Sequence, residues 1–232
     1  MFFIGYSNSF LVAVDYGVFG TVFHETMRSL YTSEEAMSED FYFDWKGENA
    51  SRLTYKHKFI TKEYITGWLA KEDVIRRKIK SLIMRELHLM EVSGRNLVVT
   101  DVILKYVIKT LNRDLELMSA EGVDKFEIHG SEVRVTGKFH GQRFKGFIDR
   151  LDSFHEDQIR VVDYKTGKKA FDLADVRYGL NLQMLLYLYA LEQKACQLIG
   201  ENPYAAGVQY FPARAPFLPV DGSLSNEEAY EE

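Results

Sequence analysis

The sequence predicts an α/β protein: a central mixed sheet flanked by helices, with a helical region in front of it. Three observations carry that expectation. Residues 15–31 and, with a break at Gly94, 61–120 are dominated by apolar side chains three and four apart, the period of an amphipathic helix. After Gly122 the period drops to two, as in Val133, Val135, Gly137 and in Phe144, Gly146, Ile148, where strands separated by glycine and acidic turns are expected. From residue 176 a helical pattern returns, and YAAGVQYFPAR follows as a last strand before Pro212, Pro216 and Pro219 end regular structure.

In chain order, the first helix runs from Asp15 to Tyr31, with Phe19, Phe23, Met27 and Leu30 on its larger face. Residues 32–57 have no clear period and read as loop with one short helix. A second helix starts at Thr61 or Lys62, and a basic one spans Lys71 to Met90 with Arg76, Arg77, Lys78 and Lys80. Gly94 interrupts, and Thr100-Asp101 opens a long helix to Ala120. Four strands follow, in VDKFEIHG, SEVRVTGKFH, QRFKGFIDRLDSF and DQIRVVDYKTG, and then a helix over 176–199. The expected organisation is a helical region over 1–122, a sheet-containing core over 123–212 and an acidic flexible tail over 213–232.

Composition narrows the function. The chain has 232 residues, 46% hydrophobic and 27% charged, which suits a globular protein able to bury a core. The formal charge of −5 is carried by Asp221, Glu227, Glu228, Glu231 and Glu232, leaving 29 acidic residues against 29 basic ones in residues 1–220. No global basic excess advertises a tight non-specific binder of nucleic acid, so the chain alone is expected to bind DNA weakly. One cysteine, Cys196, cannot form an internal disulfide, a four-cysteine zinc site or an iron–sulfur cluster within this chain. That composition, and an apolar N-terminal run broken by Ser7, Asn8, Ser9 and Asp15, favour a cytoplasmic protein without a membrane partner.

Three segments carry chemistry: GFIDRLD at 146–152, VVDYKTG at 161–167 and QMLLY at 183–187. Asp163 and Lys165, two apart on a strand, share one face just before Gly167. A hairpin turning near 155–157 sets Asp149 opposite Asp163. Facing carboxylates repel unless a cation sits between them, and hard oxygen donors suit Mg²⁺ or Mn²⁺. Lys165 beside the metal can position a water and stabilise charge on a phosphate. Gln183 and Tyr187, four apart, share a helix face. Tyr164-Lys165-Thr166-Gly167-Lys168 is not a phosphate-binding loop, because Val162 stands where its first glycine belongs. Arg150 and Asp152 read as solvated or structural pairs, and Arg76 to Lys80 as a solvated helix face.

Together these strings resemble the PD-(D/E)XK nucleases of the RecB/AddB type. That family carries an Asp on one strand, Asp/Glu-x-Lys on the next, a Gln–Tyr pair on the following helix, and a histidine after a glycine on an upstream helix. Gly20-Thr21-Val22-Phe23-His24 matches the last of these. The resemblance implies a restriction-endonuclease-like core. It also implies that His24, Asp149, Asp163 and the Tyr164 carbonyl hold the metal and that Lys165 is catalytic. Gln183 and Tyr187 would line the DNA side, and Glu127 would match a further acidic position. The activity it implies is metal-dependent hydrolysis of DNA phosphodiesters, on single strands or duplex ends, in a repair or recombination system with a helicase partner. Two alternatives stand beside it: a catalytically silent nucleic-acid-binding or scaffold domain of such a complex, and a hydrolase or transferase acting on a phosphorylated small molecule.

Overall fold

A computed structural model of the protein describes residues 13–31, 42–43, 58–155, 158–165, 173–179, 182–198 and 204–212. The expected acidic tail, and all of the 32–57 segment except 42–43, lie outside the described residues.

Helix α1 (Tyr16–Tyr31) begins where the Asp15 carboxylate accepts the Val18 N–H at 2.8 Å, a cap that answers the unpaired amides of the first turn. It buries Val22, Phe23, Thr26, Met27, Leu30 and Tyr31. Strands β1 (Tyr42–Phe43) and β2 (Lys58–Thr61) precede α2 (Lys62–Leu69), which Thr61 caps by accepting the Tyr64 N–H. Helix α3 (Glu72–Leu87) starts with Glu72 and Asp73 and has Arg85 in its last turn, the polarity that the helix dipole favours. Helix α4 (Arg95–Ala120) opens five residues earlier than the periodicity suggests. Its first turns expose Leu97 and Val98, so the amphipathic pattern that marks a helix start is missing there.

The sheet begins with β3 (Lys125–Phe139), a single strand where the sequence predicts two. His129-Gly130 looks like a turn in sequence, but the ladder shifts register between Ile128 and Gly130 as a β-bulge, and His129 pairs with Ser153 Oγ at 2.8 Å across the strands. A true turn comes at His140-Gly141, both at positive φ, joining β3 to β4 (Gln142–Ser153) through a two-residue loop. Strand β5 (Gln158–Lys165) pairs antiparallel with β4. Helices α5 (Leu173–Val176) and α6 (Leu182–Leu198) then cross over to β6 (Tyr204–Pro212), which is parallel to β5. The six-stranded mixed sheet has the order β1-β3-β4-β5-β6, with β2 also pairing with β3.

Two hydrophobic clusters hold the sheet. One joins α1–α4 to Ile60, Phe126, Ile128, Val162, Tyr164 and Phe211; the other joins Met184, Tyr187, Ala190 and Leu191 of α6 to Val133, Val135, Ile148, Leu151, Ile159 and Val161. Gly146 is where α6 meets the sheet: a Cβ added there would fall on the Tyr187 ring and hydroxyl. Gly146→Ala is therefore expected to push Tyr187 out of place and lower stability by about 1–3 kcal/mol, read from urea denaturation midpoints. Among the described residues no helix is long and apolar enough to cross a membrane.

Candidate active site

The site forms where β4 and β5 part. Their last paired residues are Arg150 and Val162, so one further step sets Asp149 against Asp163, as the turn-centred spacing predicts. Asp149 turns back on β5: its Oδ2 accepts the Tyr164 N–H at 2.6 Å. Asp163 is buried, and burial together with the Asp149 charge raises its carboxyl above the usual range despite Lys165. The Lys165 Nζ lies 2.6 Å from Asp163 Oδ2, so the two side chains meet on one face of the strand. This is an ion pair outside hydrogen-bond geometry, and it leaves that buried oxygen without a hydrogen-bond partner among the described residues.

Helix α1 brings His24 over these strand ends. Its Nε2 lies 3.2 Å from the Tyr164 carbonyl oxygen, and its Nδ1 lies 3.5 Å from Asp149 and 3.7 Å from Glu132. Burial opposes charge on the imidazole, but the Asp149 and Glu132 carboxylates outweigh it and push the pKa up to about 10. The Tyr164 carbonyl, a metal ligand by family resemblance, thus faces the histidine here. An imidazole that donates Nε2–H to a backbone carbonyl offers Nδ1 toward the carboxylates, an arrangement common in metal-ligating histidines.

Glu132 is not legible in the sequence. It sits mid-strand on β3 at φ 54°, a conformation costly for a side chain with a Cβ, and completes a group with His24 and Asp149 whose ligand atoms lie within 4.8 Å of one another. The resemblance points instead to Glu127, which pairs with Ser153 in the ladder and with Phe59 of β2. The bulge between the two glutamates offers the only cue in the sequence, and it reads as a turn. On α6, the Gln183 amide donates to the Tyr187 hydroxyl at 3.0 Å; Tyr187 is buried and Gln183 exposed.

Beneath the site lies a buried charge cluster. Arg150 is fully buried and donates both terminal nitrogens to Asp114 of α4, at 2.7 and 2.8 Å. It also donates to the Tyr164 hydroxyl at 2.9 Å, and its Nε contacts Asp152 at 2.8 Å as an ion pair out of line with the N–H. Tyr31 donates to Asp114 at 2.5 Å, and Arg160 holds Asp152 with two bonds. The Arg150 guanidinium lies 5.0–5.7 Å from the ring centres of Tyr31, Phe126, Tyr164 and Phe211. Arg150 and Asp152 are thus structural pairs, and not solvated ones. Through Tyr164 the cluster fixes the residue whose amide holds Asp149 and whose carbonyl faces His24.

The fold and site define a class. The chain matches the PD-(D/E)XK nuclease superfamily over residues 11–232 and belongs to it; the mixed sheet flanked by helices is its restriction-endonuclease-like fold. Among its relatives is a subunit of the ATP-dependent helicase/deoxyribonuclease of Anoxybacillus flavithermus, 43% identical over 89 residues, 37% of this chain and 8% of that protein. Another is the protein of the same name from Geobacillus thermodenitrificans, 30% identical over 163 residues, 67% of this chain and 12% of that protein. The chain therefore corresponds to only a small part of the length of these relatives.

Proposed function

We propose that the chain is a divalent-metal-dependent deoxyribonuclease domain that hydrolyses phosphodiesters within a helicase–nuclease assembly for DNA repair or recombination. The observation that carries this reading is the convergence of His24, Asp149, Asp163 and Lys165 at one end of β4 and β5. The donor set fits a hard or borderline cation. Carboxylates crowd against one another, one buried Asp163 oxygen has the Lys165 ammonium beside it but no well-aligned hydrogen bond among the described residues, and the Asp149 and Glu132 carboxylates favour positive charge at His24, where a metal would otherwise supply it. His24, Asp149 and Asp163 would hold Mg²⁺ or Mn²⁺, with Glu132 as a further carboxylate beside them, and the Tyr164 carbonyl would orient His24 or join the ligands. The cation would polarise the phosphate and lower the pKa of an attacking water.

The protein's own groups take the remaining roles. Lys165, held beside Asp163, orients the water and stabilises charge on the phosphate oxygens. Gln183, exposed on α6 and tied to the buried Tyr187, offers its amide to the strand being cut. The names of the relatives support DNA as substrate and a helicase as partner. Incubating the protein with single-stranded and double-stranded DNA in Mn²⁺, Mg²⁺ or EDTA tests the reading. Metal-dependent, EDTA-sensitive cleavage is expected, and intact DNA with both metals would return the chain to a silent binding domain.

Metal binding should be pH-dependent. A cation seated on Nδ1 must displace the His24 proton, which is held up to a pKa of about 10 without metal. Mn²⁺ affinity measured calorimetrically should therefore rise between pH 6.5 and 8, by up to about tenfold per pH unit. Linkage runs the other way for the metal-free fold: the charged His24 stabilises it fully below the ordinary histidine pKa, and that contribution is lost as pH rises through about 10. His24→Ala should flatten the pH dependence and raise the Mn²⁺ needed for half-maximal cleavage more than it lowers the limiting rate. An unchanged metal titration would make His24 structural.

A further inference from the structure

The distal half of the β3–β4 hairpin carries charge of one sign. Between Glu132 and Asp149, residues 133–148 include Arg134, Lys138, Arg143 and Lys145 and no Asp or Glu. The register puts these side chains together: Lys138 is directly opposite Arg143, Lys145 is opposite Thr136, and Arg134 is opposite Phe147. Direct partners and residues two apart share a face, so Arg134, Lys138, Arg143, Lys145 and Phe147 form one surface. The other face carries Val133, Val135, Phe144 and Ile148, which pack with α6.

Lys138, Arg143 and Lys145 are exposed, and among the described residues none has an acidic partner. Two cations set directly across a ladder destabilise it, so the Lys138–Arg143 pair opposes the fold unless an anion lies over it. Phe147 is 55% exposed at the end of this charged face nearest the site, opposite Arg134. The surface begins two residues along each strand from Glu132 and Asp149. By contrast, the basic run on α3 is partly neutralised, with Arg76 paired to Asp101 and Arg77 to Asp73.

We infer that this face of the hairpin is the track along which single-stranded DNA runs into the site. The inference rests on the nuclease reading above. Successive cations along a strand follow a phosphate backbone, and an exposed aromatic among them offers a stacking surface that only an unpaired base can use. The order of the side chains gives the path: phosphates over Lys138, Arg143 and Lys145, a base on Phe147, and the next phosphate toward the Asp149–Asp163 carboxylates.

The test is an affinity titration of the full chain carrying Asp163→Ala, in EDTA, against a 20-nucleotide oligothymidylate over a range of salt. Micromolar binding at physiological salt is expected. Adding Lys138→Gln, Arg143→Gln and Lys145→Gln together should weaken it at least tenfold and reduce the slope of log affinity against log salt by about 2, near 0.7 per lost contact. The same substitutions should not lower the melting temperature, since they relieve like-charge repulsion, and so a loss of binding is not a loss of fold. Phe147→Ala should weaken the single strand at least fivefold and leave a blunt duplex of the same length unaffected. If the triple variant binds as the parent does with the same slope, the track lies elsewhere and the nuclease reading stands. If the parent binds no oligonucleotide, the track falls, and the cleavage assay in Mn²⁺ and Mg²⁺ decides the nuclease reading by itself.

Discussion

Asp163→Ala and Lys165→Ala are each expected to lower DNA cleavage by at least about a hundredfold, the usual cost of removing a group that stabilises charge in a reacting centre. Stability should not follow activity. Asp163 is buried beside Asp149 and its carboxyl is held above the ordinary range, chiefly by desolvation. A carboxyl raised in the folded state stabilises that state at low pH, and the contribution is lost as pH rises through its folded pKa. At neutral pH Asp163 therefore opposes folding, and Asp163→Asn should melt at or above the parent temperature while cutting no DNA. Either variant cleaving at near the parent rate would remove that residue from the reaction.

The largest effect on stability is expected below the site. Arg150→Met keeps the bulk of the side chain but leaves Asp114 and Asp152 buried without their shared cation. Breaking a buried, hydrogen-bonded pair in this way costs about 3–5 kcal/mol. Asp152 keeps Arg160, whereas among the described residues Asp114 keeps only the Tyr31 hydroxyl, so the penalty falls mainly on the α4 side. Arg150→Lys should lie between the two, because an ammonium cannot reproduce the fork that meets both Asp114 oxygens. Urea denaturation of the three proteins measures the order. A loss below about 1 kcal/mol for Arg150→Met would show that the cluster is not a structural anchor.

The legible parts of the site are those with short-range geometry. Asp149 and Asp163 follow from spacing about one turn, and Lys165 from the two-residue repeat of a strand. Glu132 escapes because its position depends on a bulge and a positive φ, and the string HGSE advertises a turn instead. The Arg150–Asp114 pair escapes because its partners are 36 residues apart on different elements, where neither periodicity nor motif connects them. The basic face of the hairpin escapes for another reason. Its cations alternate with apolar residues, so they form no run in sequence and become a cluster only when two strands are laid side by side.

His24 and Tyr164 meet across 140 residues of chain. Closing so long a loop carries an entropic penalty that short-range contacts do not share, and non-local contacts of this kind slow folding. Residues of α1 leave the ribosome well before β5, whose Tyr164 they face and whose Asp163 and Lys165 lie beside it. A partly made chain thus holds the histidine without its partners, and the site is assembled only after β5 has been synthesised and docked.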